Sequence, residues 1–265
     1  MHDFQRPSAD SPTDQAHGLR RLFPGSSEPR LIALVANPHV AFASVMLERL
    51  CTVIDAMGQH TLVVDAADSS PPPPELAALD LRAGIETLSP RVAYLAARGL
   101  PLRHVDTRGS SAQLLDRLQA AAPQAGVLLV HAGAPDLARL FGRRALRPLL
   151  LAADHPDSLT HAYAAMKLLV MRCALMSYDL LLAAPPGGRR VPAIAQRLAS
   201  CADSFLGAAL HDWVAIDPAC DVRDSPGDAL CAMVAALLNT ESAADAPAWR
   251  QLPPQAVRPA AMKPN

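Results

Sequence analysis

The sequence has no glycine between residues 26 and 57 and no lysine before Lys167. An ordinary glycine-rich phosphate loop needs several backbone amides free to close on the phosphates and a lysine to reach the terminal ones, so the first third of the chain cannot build one in the usual way. Apolar runs are also short. None reaches the roughly 18–20 residues that a bilayer span requires. The opening MHDFQRPSAD has no apolar signal core, which points to a cytoplasmic protein. Charge of one sign is lacking too: the formal net charge is −1, leaving no global basic field for nucleic acid or an anionic membrane. The five cysteines, Cys51, Cys173, Cys201, Cys220 and Cys231, are far apart and form no Cys-x-x-Cys, so their spacing supports neither a metal site nor a redox pair. No Gly-x-Ser-x-Gly and no His-Glu-x-x-His occurs.

What is present suits one sizeable core: 265 residues, of which 51% are hydrophobic. Residues 1–30 are rich in Pro, Ser and charge apart from one helical stretch, and residues 240–265 form an Ala/Pro-rich tail expected to be disordered. The folded unit is expected over 31–239. Within it, the runs at 31–36, 61–66, 102–107, 126–132, 147–153, 178–184 and 213–217 are predicted strands. Helices are predicted at about 40–57, 75–80, 90–98, 110–121, 157–175, 190–209 and 226–238. Apolar strands without in/out alternation, each followed by a helix, predict a doubly wound α/β domain with a mostly parallel sheet. Ligands of such folds sit at the carboxyl ends of the strands.

Those ends carry unusual residues. The first strand runs into Asn37, Pro38, His39, Val40, Ala41, Phe42 and Ala43, where Pro38 removes one amide from any cradle. The second ends at Asp65 with Asp68 close behind, either as a carboxylate that holds metal or water or as a strand-end cap. The strand at 126–132 ends in His131, a strand-end histidine before it is a base. His155 and His161, six apart, do not share a helical face, which favours loop or cap roles over metal binding.

Ahead of the domain lies TDQAHGLRRLF, residues 13–23. Read as a helix, it aligns Ala16, Leu19, Leu22 and Phe23 on one side, with Thr13 or Asp14 as N-cap. A helix this short is marginal alone, so it is expected to form by docking, on a partner or on its own domain.

The segment resembles the activator motif Asp-Gln-Ala-x-x-Leu-Arg of the FlhG (FleN) family, the MinD/ParA-like ATPases that control flagellar number and placement. Asp14, Gln15, Ala16, Leu19 and Arg20 fill its fixed positions. The similarity extends through LIALVA and TLVVDA, then GVLLVHAGA, PLLLAADHPDSLTHAYAAMKLL, IAQRLASCADSFLGAAL and WVAIDPACDV, in the family's order. It implies a deviant P-loop NTPase fold. It also implies a partner, the signal-recognition-particle-type GTPase FlhF, met by Asp14, Gln15, Ala16, Leu19, Arg20 and Arg21; a scaffold for flagellar switch proteins or a flagellar transcription activator is the alternative left open.

The departures lie in the nucleotide chemistry. Where the family has Lys-Gly-Gly-Val-Gly-Lys-Thr, this chain has residues 37–43; the Asp-x-Asp after the second strand has become Asp65, Ala66, Ala67, and the other acidic strand ends in His131. The expectation is a pseudo-ATPase with no cofactor, ATP and Mg²⁺ entering only if the altered loop still cradles phosphate. The family's basic membrane-targeting helix is replaced by PGDALCAMVAALLN, apolar nearly all round, so a core helix and no stable membrane anchoring are expected.

Overall fold

The computed structural model describes residues 28–239 except 143, 222 and 223. Residues 1–27, which hold the activator stretch and most of the segment expected at 1–30, and the tail expected at 240–265 lie outside the described residues. The chain begins with β1 (Arg30–Val35), α1 (Ala43–Ala56) and β2 (Thr61–Asp65), then two single-turn 3₁₀ helices, Glu75–Ala78 and Leu81–Gly84. Next come β3 (Ile85–Thr87), β4 (Val92–Ala96), α2 (Leu100–Arg103), α3 (Ala112–Ala121), β5 (Val127–Ala132) and α4 (Ala134–Phe141). It closes with β6 (Leu149–Ala153), α5 (Pro156–Cys173), β7 (Ser177–Ala183), α6 (Val191–Leu206), β8 (Ala209–Ile216) and α7 (Asp228–Asn239).

Among the described residues the strands form one eight-stranded sheet in the order β3-β4-β2-β5-β1-β6-β7-β8. Every neighbouring pair is parallel except β3 with β4, the antiparallel edge. Strands buried on both faces explain the unbroken apolar runs; all six residues of β5 are buried. Alternate side chains feed two cores. Leu34, Leu129 and Leu151 point to the side of α1 and α7, where Met46, Leu50 and Met233 meet them. Val35, Leu128 and Leu150 point to the opposite side, packed by Leu114, Leu137 and Met166 of α3, α4 and α5.

Two expectations fail. The helix predicted at 90–98 is β4, because VAYLA is divided between the two cores, Val92 and Tyr94 on the α1 side and Ala93 and Leu95 on the other. It pairs in parallel with β2 from Thr61↔Val92 to Asp65↔Ala96. The strand predicted at 102–107 is instead the end of α2 and a turn. Gly99, at φ 77°, and Pro101 in the first turn start that helix, while Leu102 and Val105 are exposed and so have no sheet face to fill. The Asp106 carboxylate then accepts from the Arg108 and Ser110 amides and closes the turn. Helix α4, unforeseen in the sequence, starts at the same kind of Gly-x-Pro signal and buries Leu137, Leu140 and Phe141.

Candidate functional site

The carboxyl ends of β1, β2, β5 and β6 meet at the middle of the sheet, where chain connections leave in opposite directions. The turn after β1 contains Asn37, Pro38, His39, Val40, Ala41 and Phe42, and Ala43 opens α1. Asn37 is buried, with 4% exposure. Its Nδ2 donates to the Leu151 carbonyl at 2.8 Å, the Ser158 carbonyl at 2.9 Å and Ser158 Oγ at 3.0 Å. Its Oδ1 accepts from the His39 amide at 3.1 Å, which fixes the orientation of the side-chain amide. Strand β1 pairs with β6 only through Leu34 and Val35, and the Asn37 side chain continues that seam beyond the last backbone pair. Ser158 Oγ in turn accepts from the Ala153 amide, tying the start of α5 to the end of β6.

The rest of the turn is closed on itself. Val40 donates to the Asn37 carbonyl at 3.0 Å and buries its side chain in the α1 core. The His39 ring meets that of His161 edge-on at 5.8 Å. Burial and the neighbouring His39 hold His161 below the ordinary imidazole range, its hydrogen bond to the Ala36 backbone working the other way. Phe42 is left-handed, at φ 60° and ψ 38°, and its side chain is 68% exposed. A bulky residue in that region costs of order 1–2 kcal/mol.

Beside the turn, Asp65 and His131 are register partners at the ends of β2 and β5. Their side chains meet at 2.8 Å between His131 Nδ1 and Asp65 Oδ1. Tyr94 donates its hydroxyl to Asp65 Oδ2 at 3.2 Å, and Ser70 Oγ donates to the Asp65 carbonyl at 2.8 Å. Burial acts to raise the Asp65 carboxyl, but its hydrogen bonds to His131 and neighbours outweigh that and hold it below the usual carboxylate range. Burial and the Asp65 charge push the Tyr94 hydroxyl up. Asp68 lies in the exposed turn beyond, its carbonyl accepting from Arg98 at 3.3 Å, and takes no part in this cluster.

The structure thus brings together Asn37, His39 and Val40 as one group and Asp65 with His131 as another. Three participants were not foreseen: Ser70, Tyr94 and Ser158. Of the two histidines expected in loop or cap roles, His155 is the N-cap of α5, whereas His161 lies within that helix, its ring against His39. Tyr94 was hidden by the expected helix at 90–98. Ser158 is signalled only by standing in the first turn of a Pro-started helix.

A magnesium nucleotide is the group to test against these residues. Pro38 offers no amide, the His39 and Val40 amides are spent within the turn, Phe42 and Ala43 supply neither ammonium nor hydroxyl, and the Asp65 carboxylate is engaged by His131 and Tyr94. At residues 37–43 the lysine, the hydroxyl and the free strand-end carboxylate of an ordinary magnesium-nucleotide site are missing. Among the described residues no cluster of three or more His, Cys, Asp and Glu side chains suits a metal ion, and no helix is long and apolar enough to cross a membrane.

With this sheet order and its flanking helices, the chain has the α/β architecture of the MinD/ParA-like P-loop NTPases. The MinD cell division protein of Aquifex aeolicus superposes with a TM-score of 0.52 at 11% identity, covering 80% of this chain and 98% of that one. The same organism's MinC:MinD cell division complex gives 0.52 and 11%, covering 80% and 97%. A putative plasmid partition protein of Borrelia burgdorferi bound to AMPPNP gives 0.50 and 7%, covering 80% and 98%. Similarity at these identities shows the fold alone. No family model and no curated protein matches the sequence.

Proposed function

We propose that this chain is a regulator of flagellar number and placement that works without nucleotide, by docking residues 13–23 on the SRP-type GTPase FlhF and stimulating it. The observation that carries the reading is the fate of the turn after β1. On this fold Asn37 ties that turn to β6 and α5 through its own side-chain amide, with no nucleotide needed to close it. The motif residues Asp14, Gln15, Ala16, Leu19 and Arg20 support the choice of partner. In such a complex Gln15 orients the attacking water or the switch residue that holds it, and Arg20 or Arg21 offsets charge developing on the γ-phosphate. The protein acts in the cytoplasm and reaches the cell pole through its partner.

The test is GTP turnover by the cognate FlhF with and without this protein, in the absence of ATP. Stimulation by the wild type that disappears in the Gln15→Ala, Arg20→Ala double variant is expected; turnover unchanged by the wild type overturns the reading. The rival, a switch ATPase using the altered loop, rests on the retained strand–turn–helix connection. It requires ATP affinity, so a thermal midpoint raised by millimolar Mg·ATP would favour it, and an unchanged midpoint is expected here.

A further inference from the structure

Helix α1 leaves part of the sheet face beside it open. A groove of about 580 Å³ runs between α1 and the β2–β4 side of the sheet. Its floor is apolar, built from Val63, Val92 and Tyr94, of which Val92 and Tyr94 are only half-buried, with Leu88 exposed at the far lip. Its wall is a single stripe of α1 from Ser44 to Asp55, a rise of about 17 Å. Both acids of α1, Glu48 and Asp55, stand on this wall. The helix's one base, Arg49, turns away to the loop after β8, where it donates to the Asp221 and Asp224 carbonyls.

We infer that this groove is the resting seat of residues 13–23 of the same chain. Eleven residues read as a helix measure about 16 Å, the length of the α1 wall. Ala16, Leu19, Leu22 and Phe23 form the stripe that such a floor would cover, and Arg20, at the flank of that stripe, brings basic charge to the wall, where Glu48 is exposed and Asp55 already pairs with Arg91. The tether reaches. The described chain starts at Glu28, next to β1, and β2 and β4 lie two and three strands away, about 10 and 14 Å. Residues 24–27 extend to about 13 Å. Docking there hides the apolar stripe and withholds Gln15 and Arg20 until a partner competes for them. That regulatory consequence rests on the proposed function; the seat itself does not.

Arg20 and Arg21 are tryptic sites, so limited proteolysis of the intact protein reads the seat directly, with a peptide of residues 1–27 as the unprotected reference. Cleavage of the wild type at these sites about tenfold slower than in the peptide is expected, because cleavage follows the undocked fraction. Leu88→Glu and Glu48→Lys, both at exposed positions of the groove, and Leu19→Asp in the segment each bring the rate up to that of the peptide. Leu102→Glu, exposed elsewhere, leaves it slow. Wild-type cleavage as fast as the peptide's overturns the inference, as does protection that survives both groove variants. Protection lost on dilution overturns it in favour of a second copy as the seat. Because no GTPase is present, protection without GTPase stimulation sinks only the proposed function, and stimulation without protection sinks only the seat.

Discussion

Replacing Asn37 tests the reading that one buried amide holds the turn where a nucleotide fold would place phosphate. The side chain is 4% exposed, and its Nδ2 faces the Leu151 carbonyl, the Ser158 carbonyl and Ser158 Oγ at 2.8, 2.9 and 3.0 Å. In Asn37→Ala those bonds vanish. Ser158 Oγ keeps the Ala153 amide, so the Leu151 carbonyl bears most of the desolvation penalty. A lost buried bond with one orphaned acceptor amounts to about 2–4 kcal/mol. Asn37→Asp keeps the shape but sets a carboxylate oxygen against the same acceptors in a dry site, which raises the loss to about 3–5 kcal/mol or more. Against a typical total of about 5–15 kcal/mol, either change is large. Urea unfolding followed by far-ultraviolet circular dichroism reads both as midpoint shifts at constant slope. The aspartate variant has a second signature. Burial raises its folded-state pKa above the unfolded value, so its penalty is full at neutral pH and fades as pH falls through that raised pKa. An aspartate variant as stable as the alanine one at neutral pH would refute the clamp, since it would mean that the donor end does not face these oxygens.

Two further outcomes follow from buried charge. The folded Asp65 carboxyl lies below its ordinary value, so its contribution to stability is present above the unfolded pKa of about 4 and is lost as pH falls through the folded one. Asp65→Asn should therefore flatten the loss of stability below about pH 4, seen by acid titration of the circular dichroism signal; an unchanged acid limb would refute the pairing with His131. On β7, Asp179 is fully buried, with Arg147 Nε 2.7 Å from its Oδ2. Burial raises this carboxyl despite Arg147 and the more distant His211, so Arg147→Ala should cost about 3–5 kcal/mol at neutral pH and less as pH falls and the acid takes up a proton. Thermal melts at neutral and mildly acidic pH check the difference.

Much of the fold was legible in local sequence. Strands buried on both faces have to be apolar throughout, and LIALV and VLLV cannot be mistaken for exposed segments. Helix starts were marked by Pro156 in the first turn of α5 and Pro192 in that of α6. The absence of glycine and lysine around residues 37–43 likewise decided what the turn after β1 is made of, whatever it packs against.

Partnership across the chain was decided only in three dimensions. VAYLA has the apolar content of a helix face, and it became a strand because β2 offers it a parallel ladder and each face of the sheet a core. LRHVDT has the residues of a strand, but Pro101 commits the chain to a helical turn before them and no sheet edge receives their side chains. Asn37 lies 114 residues from Leu151 and 121 from Ser158, and Asp65 lies 66 from His131. Hydrogen bonds over such separations leave no periodicity in the sequence, because the sheet order that closes them is set by the packing of whole elements. The chemistry available to the site was therefore fixed by residue identity, and its use for clamping a turn and pairing a carboxylate was fixed by the topology that set β1, β2, β5 and β6 side by side at the middle of the sheet.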